Sequence, residues 1–156
     1  MAALSLCYNT VSIVTASHKK TMKHLQVAAA VITHQDRILC VQRGLGRQRT
    51  TVSFKYEFPG GKLEKDESGH TALMRELKEE LQIMTVIRPD DYMMTVEHAY
   101  PECHITMHVY RCTIQSPDIT LTEHIACRWL PAEQLDTLDW APADIRIVRK
   151  LMEQDC

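Results

Sequence analysis

Residues 60–83 read GGKLEKDESGHTALMRELKEELQI, and this stretch organises the rest of the chain. A glycine pair precedes a segment of helical periodicity that is dense in carboxylates. The acids within it are Glu64, Asp66, Glu67, Glu76, Glu79 and Glu80. Neighbouring carboxylates repel one another unless a cation lies among them. A divalent metal is the simplest such cation, and a phosphate chain is its common ligand in proteins. The stretch therefore predicts a site for a metal-chelated phosphate compound.

The second half of the stretch predicts a helix over residues 69–81, with Ser68 as its N-cap. At about 100° per residue, an apolar arc and an acidic arc adjoin on this helix. The apolar arc contains Leu73, Leu77 and Leu81, and the acidic arc contains Glu76, Glu79 and Glu80. A solvated acidic face is the alternative interpretation. It explains Glu64 and Asp66 well, but it explains poorly the acids that border the apolar arc.

Length and composition indicate one globular domain. The chain has 156 residues, of which 45% are hydrophobic and 24% charged, and its formal net charge is −2. This charge argues against a nucleic-acid polymer as partner, since such binders usually carry a basic surplus. No apolar run is long enough to span a membrane. The cysteines form no C-x-x-C pair, which predicts a cytoplasmic protein. Residues 1–23 are expected to be a disordered extension, and residues 24–156 the domain. An organelle presequence is the alternative for residues 1–23, which contain no acid and are rich in Ser and Thr.

Several segments have the apolar content and length of strands. These are residues 25–32, 38–42, 85–88, 91–99, 105–114 and 125–130. The first two form a predicted hairpin, and 91–99 pairs with 105–114 as a second antiparallel pair. A closing helix is predicted from Pro142 through Met152, with Ile145, Val148 and Met152 buried. No histidine lies at metal-ligand spacing, so each is expected to be a surface or core residue.

Two features outside the helix are candidates for ligand contact. The turn at residues 59–61 combines proline with two glycines, so its backbone can approach a ligand and present carbonyls to it. Four arginines lie in or near the loop at residues 43–51, namely Arg37, Arg43, Arg47 and Arg49. This loop is either a solvated loop or a rim that meets an anion, and Arg43, at a strand end, is the best candidate for contact.

The segment from Gly61 to Ile83 resembles the signature of the Nudix hydrolases, in which fixed glycine, glutamate and arginine positions surround one helix. The matching residues are Gly61, Glu67, Arg75, Glu76, Leu77, Glu79, Glu80 and Ile83. The glycine expected near the helix end is Gln82 here. This departure affects the C-cap and no proposed metal ligand. Residues 24–152 as a whole resemble the MutT-type subgroup, which contains 8-oxo-dGTP diphosphatases and CTP pyrophosphohydrolases.

The resemblance implies an α/β fold, the Nudix α/β/α sandwich with a mixed sheet between helices. It implies Mg²⁺-dependent hydrolysis of a nucleoside triphosphate to a monophosphate and pyrophosphate, with Mn²⁺ able to substitute. The expected substrates are oxidised (d)NTPs such as 8-oxo-dGTP, which places the enzyme in nucleotide-pool sanitation and DNA mutation avoidance. A CTP or dCTP pyrophosphohydrolase is the alternative, and a non-catalytic nucleotide-binding module is the third. The expected state is a monomer that acts on a small nucleotide.

The resemblance also implies roles for individual residues. The implied metal set is Gly60, through its carbonyl, with Glu76, Glu79, Glu80 and Glu123. Arg75 and Glu67 would order the carboxylates by ion pairing, and Glu123 is also a candidate for the general base. Arg43, Phe58 and Asp144 match positions that line the base pocket. Asp144 has a second interpretation, as an acid favoured at a helix N-terminus by the helix dipole.

Overall fold

The structure is a computed structural model that describes residues 21–46 and 50–154. Its strands are β1 Lys23–His34, β2 Arg37–Gln42, β3 Tyr56–Glu57, β4 Gly60–Lys62, β5 Tyr92–Ala99, β6 Cys103–Thr113 and β7 Ala126–Leu130. Its α-helices are α1 Gly69–Leu81 and α2 Ile145–Gln154. Short 3₁₀ turns occupy Pro89–Asp91, Ala132–Thr137 and Pro142–Asp144. Residues 1–20 of the predicted extension, and Arg47 and Arg49 of the arginine loop, lie outside the described residues.

The strands form one mixed sheet in the order β3-β2-β1-β6-β5. Strand β1 is central, and residues 28–32 of its predicted apolar run are buried on both faces, whereas Leu25 and Val27 are half-buried and Gln26 is exposed. It pairs in parallel with β6 and antiparallel with β2 and β4. The other pairs are β5 with β6 and β7 with β2, both antiparallel. The predicted hairpin and the predicted 91–99 and 105–114 pair are therefore confirmed.

One helix covers each face of the sheet. Leu73, Leu77 and Leu81 of α1 are fully buried against one face, in a cluster with Ala28 and Ala30 of β1. On the other face, residues from α2 pack with their neighbours on β1 and β6. These α2 residues are Ile147, Val148 and Leu151. The predicted α/β/α sandwich is confirmed, and no helix among the described residues is long and apolar enough to cross a membrane.

Two local predictions are wrong. Residues 85–88 do not form a strand. Their side chains alternate, with Val86 exposed and Ile87 buried, but no neighbouring strand pairs with this backbone. In the closing helix, Ile145 is 37% exposed, and the buried positions are Ile147, Val148 and Leu151. The α-helix begins at Ile145 after a 3₁₀ turn at Pro142–Asp144, so Val148 is buried as predicted, whereas Ile147 and Leu151 take the other buried positions.

Helix α1 has the predicted boundaries, with Ser68 as its N-cap and Gln82 at its end. Gln82 takes the left-handed conformation, at φ 55°, that a glycine would adopt here. The amides of Gln82 and Ile83 close the helix by donating to the carbonyls of Lys78 and Leu77. A side chain in this conformation is strained, since its Cβ crowds the following carbonyl.

Gln82→Gly should therefore stabilise the fold by about 0.5–1 kcal/mol. The substitution removes the strain of the left-handed conformation, and the greater entropy of the unfolded glycine chain offsets part of this gain. Urea denaturation of the two proteins measures the difference. Gln82→Ala, which lacks the freedom of glycine, is the control and should give no gain. Equal unfolding midpoints for the glycine variant and the wild type would contradict the strained cap.

Candidate active site

Arg75 lies at the centre of the helix carboxylates. Its guanidinium donates to both oxygens of Glu67, from Nε at 3.0 Å and from Nη2 at 2.9 Å. Its Nη1 donates to Glu76 at 2.8 Å and lies 3.7 Å from Glu79. The ion pair with Arg75 lowers the pKa of Glu67. Charge-assisted bidentate pairs of this kind fix side-chain geometry, so Arg75 holds Glu67 and Glu76 in defined orientations.

The glycine pair makes room for these carboxylates. Gly60 pairs with Ala29 of β1, and a Cβ on Gly60 would collide with the carbonyl of Ala28. A Cβ on Gly61 would lie 2.5 Å from Glu76 Oε1, closer than atoms can pack. The Glu76 carboxylate therefore lies directly against the backbone of the turn. Glycine is therefore required at both positions, because Gly60 lies against the backbone of β1 and Gly61 lies against the Glu76 side chain.

Gly61→Ala should lower kcat about 10–100-fold, because the added methyl must displace the Glu76 carboxylate by roughly 1 Å. The thermal midpoint should change little, since Glu76 can move toward solvent. The matched control is Gly69→Ala, whose added Cβ meets the Tyr110 hydroxyl at 2.7 Å away from the carboxylates. That variant should lose stability and keep the kcat of its folded fraction. Full turnover by Gly61→Ala would contradict the contact.

Glu80 is the buried member of the cluster, with 7% of its surface exposed. Its Oε2 has no hydrogen-bond partner among the described residues. Burial raises the pKa of Glu80 to about 8, and the carboxylates of Glu76 and Glu57 add to the shift. A buried oxygen with no donor, surrounded by further acids, is the environment that a hard cation would satisfy.

The loop before β7 brings Glu123 to the same place. Thr122 donates from its amide to the Glu80 carbonyl at 3.0 Å, and from its hydroxyl to the Glu79 carbonyl at 2.8 Å. This loop therefore closes the C-terminal end of α1. The carboxylate of Glu123 is near enough to contribute to the raised pKa of Glu80. The structure thus assembles Glu80, Glu123 and the Gly60 backbone from three separate segments of the chain.

The raised pKa of Glu80 has a consequence for the metal-free protein. The folded chain holds a proton on Glu80 up to a pH of about 8, whereas an unperturbed glutamate releases it near 4.5. Between these values the folded state binds more protons than the unfolded state, so stability in EDTA should fall as the pH rises through the window. Urea denaturation at several pH values measures this slope. Glu80→Gln should flatten it and Glu64→Gln should not; an identical slope in Glu80→Gln would contradict the assignment.

A cleft of about 920 Å³ runs from the carboxylates to the start of the closing segment. Gly60, Glu80 and Glu123 line one part of it, and Arg43, Phe58 and Asp144 line another. Glu67, Arg75, Glu76 and Glu79 are not part of its lining. Glu79 is the most exposed of the helix acids, with a side chain 59% accessible. The cleft therefore contains both an acidic end and a second end with apolar walls.

Asp144 is the polar group at this second end, and only 3% of its surface is exposed. The Phe58 amide donates to its Oδ1 at 2.9 Å. Burial raises the pKa of Asp144 well above its ordinary value, and the carboxylate of Glu57 acts in the same direction. The Phe58 ring stacks on Trp140, with centroids 4.7 Å apart. Asp144 is thus a buried acid with one oxygen fixed by the backbone.

Glu57 is a central residue to which the sequence assigned no role. It accepts from Arg43 at 2.9 Å, and its other oxygen contacts His124 Nε2 at 3.0 Å. Its charge raises the pKa of both Glu80 and Asp144. Glu57 therefore connects the two ends of the cleft and orients Arg43. The only sequence signal was an acid just before the Pro-Gly-Gly turn; the contact with His124 joins residues far apart in the chain.

Comparisons with known proteins show which family this chain belongs to. A family model described as the NUDIX domain matches residues 22–151. A CTP pyrophosphohydrolase of Escherichia coli (strain K12) is 32% identical over 131 residues, or 84% of this chain and 93% of the relative. An 8-oxo-dGTP diphosphatase of the same strain is 28% identical over 132 residues, or 83% and 98%.

Among solved structures, a protein described as DNA mismatch repair protein MutT (family Nudix hydrolase), from methicillin-resistant Staphylococcus aureus 252, is 38% identical. It superposes with a TM-score of 0.67, over 85% of this chain and 98% of that one. The family model spans nearly all of the described residues and includes every carboxylate of the site. This chain therefore belongs to the Nudix hydrolase family.

Proposed function

We propose that this protein is a Mg²⁺-dependent nucleoside triphosphate pyrophosphohydrolase of MutT type. The observation that carries the proposal is one cleft that holds Glu80 at one end and the buried acid Asp144 at the other. The buried Oε2 of Glu80 has no hydrogen-bond partner in the part of the chain that the structure describes. The first end suits a metal-chelated phosphate chain, and the second suits the polar edge of a base. The relatives named for 8-oxo-dGTP and CTP support the same substrate class.

The donor set fits Mg²⁺ or Mn²⁺, since it consists of hard carboxylate and carbonyl oxygens. Glu76, Glu79 and Glu80 would hold the metal, with the Gly60 carbonyl and Glu123 as further ligands. When bound, the cation would neutralise charge on the phosphate chain and acidify a bound water. The metal would also satisfy Glu80 Oε2 and keep the Glu80 carboxylate ionised.

The protein's own groups would align the substrate. Arg75 fixes Glu67 and Glu76 by ion pairs, so their positions are set before substrate arrives. Water attacks a phosphorus atom of the substrate's triphosphate, and the proton of this water passes to a carboxylate of the cleft. The bridging P–O bond then breaks, which gives nucleoside monophosphate and pyrophosphate. Positioning and charge neutralisation provide most of the rate in such a reaction. Glu123 is the candidate base that lines the cleft without a contact to Arg75.

We propose 8-oxo-dGTP as the preferred substrate class and CTP or dCTP as the second candidate. The raised pKa of Asp144 favours its neutral form, which can donate to the O6 of an oxidised guanine. The CTP alternative rests on the ionised form, which can accept from the cytosine amino group. Hydrolysis of oxidised nucleotides would place the protein in nucleotide-pool sanitation and mutation avoidance.

The test is a substrate panel of 8-oxo-dGTP, CTP, dCTP, 5-methyl-dCTP and ADP-ribose, assayed with Mg²⁺ and compared by kcat/KM. We expect 8-oxo-dGTP to give the highest value. A higher kcat/KM for CTP or dCTP would show that the protein is a CTP or dCTP pyrophosphohydrolase instead. A preference for ADP-ribose would contradict the triphosphate assignment, and binding without hydrolysis of any member would identify a nucleotide-binding module.

A further inference from the structure

Two histidines and a glutamate meet on one face of the sheet, outside the cleft. His24 lies near the start of β1, and its register partner on the parallel strand β6 is His104. Their rings are 4.8 Å apart between centroids. Glu97 of the edge strand β5 lies beside them, since Glu97 is opposite Thr106 and Ala99 is opposite His104. Strand β1 and the consecutive strands β5 and β6 therefore deliver three metal-ligating side chains to one point.

The distances among these side chains approach those of a metal site. His104 Nε2 lies 3.4 Å from Glu97 Oε2. Ligand atoms on a tetrahedral Zn²⁺, with bonds of about 2.0–2.2 Å, are separated by about 3.3–3.6 Å, so this pair already has the required spacing. The ligand atoms of all three residues lie within 4.8 Å of one another. His24 and Glu97 are exposed, so small rotations of their side chains would complete the set.

Thr106 links the group in its present form. His24 Nε2 contacts the Thr106 hydroxyl at 2.7 Å, and that hydroxyl donates to both oxygens of Glu97 at 2.9 Å. Because the hydroxyl proton is used on Glu97, His24 supplies the other proton from Nε2. A cation that replaced this proton would leave Thr106 bonded to Glu97. A hydroxyl that supports a ligating carboxylate is a common outer-shell partner of metal sites.

The group differs from the cleft in place and in chemistry, since none of its three residues lines the cleft. His24 does border a smaller surface pocket that Glu64 and Glu67 also line. Ala29, which pairs with Gly60, lies five positions after His24 on β1, and five steps correspond to about 16 Å along a strand. Two imidazoles and one carboxylate favour Zn²⁺ and similar transition-metal ions, whereas the all-oxygen set of the cleft favours Mg²⁺. The two sites would therefore select different cations from the same solution.

We propose that His24, Glu97 and His104 form a binding site for a transition-metal cation of the Zn²⁺ type, with water as the fourth ligand. The ion would join the start of β1 to β6 and to the edge strand β5. Such a link would add to the backbone ladders and the side-chain hydrogen bonds that already join these strands, so it would stabilise this corner of the sheet. The protein would gain thermal stability from Zn²⁺ beyond that from Mg²⁺.

The test is calorimetric titration with Zn²⁺ in excess Mg²⁺, which keeps the carboxylates of the cleft occupied. We expect one Zn²⁺ per chain and a rise in thermal midpoint. His24→Gln and Glu97→Gln should each weaken Zn²⁺ binding at least about 10-fold and abolish the rise, since each removes a ligand. Both residues are exposed, so the variants should fold, and unchanged Mg²⁺-dependent turnover would verify this.

The matched control is His108→Gln. His108 lies on the same face but bonds to Gln26 at 2.8 Å and is not a member of the group. This variant should bind Zn²⁺ as the wild type does. The proposal is overturned if the wild type binds no stoichiometric Zn²⁺. It is also overturned if His24→Gln and Glu97→Gln bind Zn²⁺ normally, or if His108→Gln loses binding to the same extent.

Discussion

Glu80→Gln is expected to lower kcat by about 10²–10³-fold, or about 3–4 kcal/mol of barrier, at saturating Mg²⁺. Glutamine has the shape of glutamate but no charge, so the loss reports the charge alone. Glu80 is the one acid of α1 that is both buried and part of the cleft lining. Its ionised carboxylate would therefore contribute most to holding the metal at the place where the phosphate chain would bind.

The same substitution should have the opposite effect on stability. In EDTA at neutral pH, folding requires Glu80 to keep a proton that the unfolded chain releases, because burial raises its pKa from 4.5 to about 8, and this requirement lowers stability. The glutamine variant should therefore unfold at a higher temperature than the wild type under these conditions. Glu64→Gln is the control, because the Glu64 side chain is 73% accessible and lies 4.0 Å from Arg75. Glu80→Gln with near-wild-type turnover would remove this residue from the proposed site.

Asp144 should decide which base is accepted. Its Oδ1 accepts from the Phe58 amide, so in Asp144→Asn the carbonyl oxygen would keep that bond and the amide NH₂ would be directed at the base. A donor fixed in this position suits the O6 of 8-oxoguanine and opposes the amino group of cytosine. We expect Asp144→Asn to keep kcat/KM for 8-oxo-dGTP. The variant should lose about 10²-fold in kcat/KM for CTP, or about 3 kcal/mol.

Asp144→Ala should lower kcat/KM about 10²-fold for every base that uses this contact, because it leaves the polar edge unpaired. It also leaves the Phe58 amide unpaired, so its folding must be verified by thermal denaturation. Asp139→Asn is the matched control, since Asp139 is 77% accessible and pairs with Lys55 on the surface. If Asp144→Asn and Asp144→Ala both had wild-type kcat/KM for all bases, Asp144 would be an acid at a helix start without a role in recognition.

The fold follows from sequence wherever local periodicity decides the structure. The boundaries of α1 and its buried Leu73, Leu77 and Leu81 follow from a cap and a 3.6-residue period. The strand predicted at 85–88 fails for a physical reason. The alternation of exposed Val86 and buried Ile87 indicates an extended backbone. A strand also requires hydrogen bonds to a neighbouring strand, and the pattern of one segment does not show whether such a neighbour exists.

The site divides in the same way. The carboxylates of α1 are close in sequence, so their clustering is visible in a helical projection. Glu57, in contrast, contacts His124 from a segment 67 residues away. His24 and His104 become neighbours only through the parallel pairing of β1 with β6. Contacts of this kind depend on strand order, and strand order is set by the whole sheet, not by any one segment.

The most direct test is product analysis of the wild-type enzyme. Purified protein is incubated with 8-oxo-dGTP and Mg²⁺, and the phosphorus-containing products are resolved by ³¹P NMR, with the Glu80→Gln enzyme and an EDTA-treated sample beside it. A MutT-type pyrophosphohydrolase yields nucleoside monophosphate and pyrophosphate in equal amounts, and both accompanying samples remain nearly inactive. Release of nucleoside diphosphate and inorganic phosphate would contradict the assignment as a MutT-type pyrophosphohydrolase. Turnover in EDTA equal to that with Mg²⁺ would contradict its metal dependence.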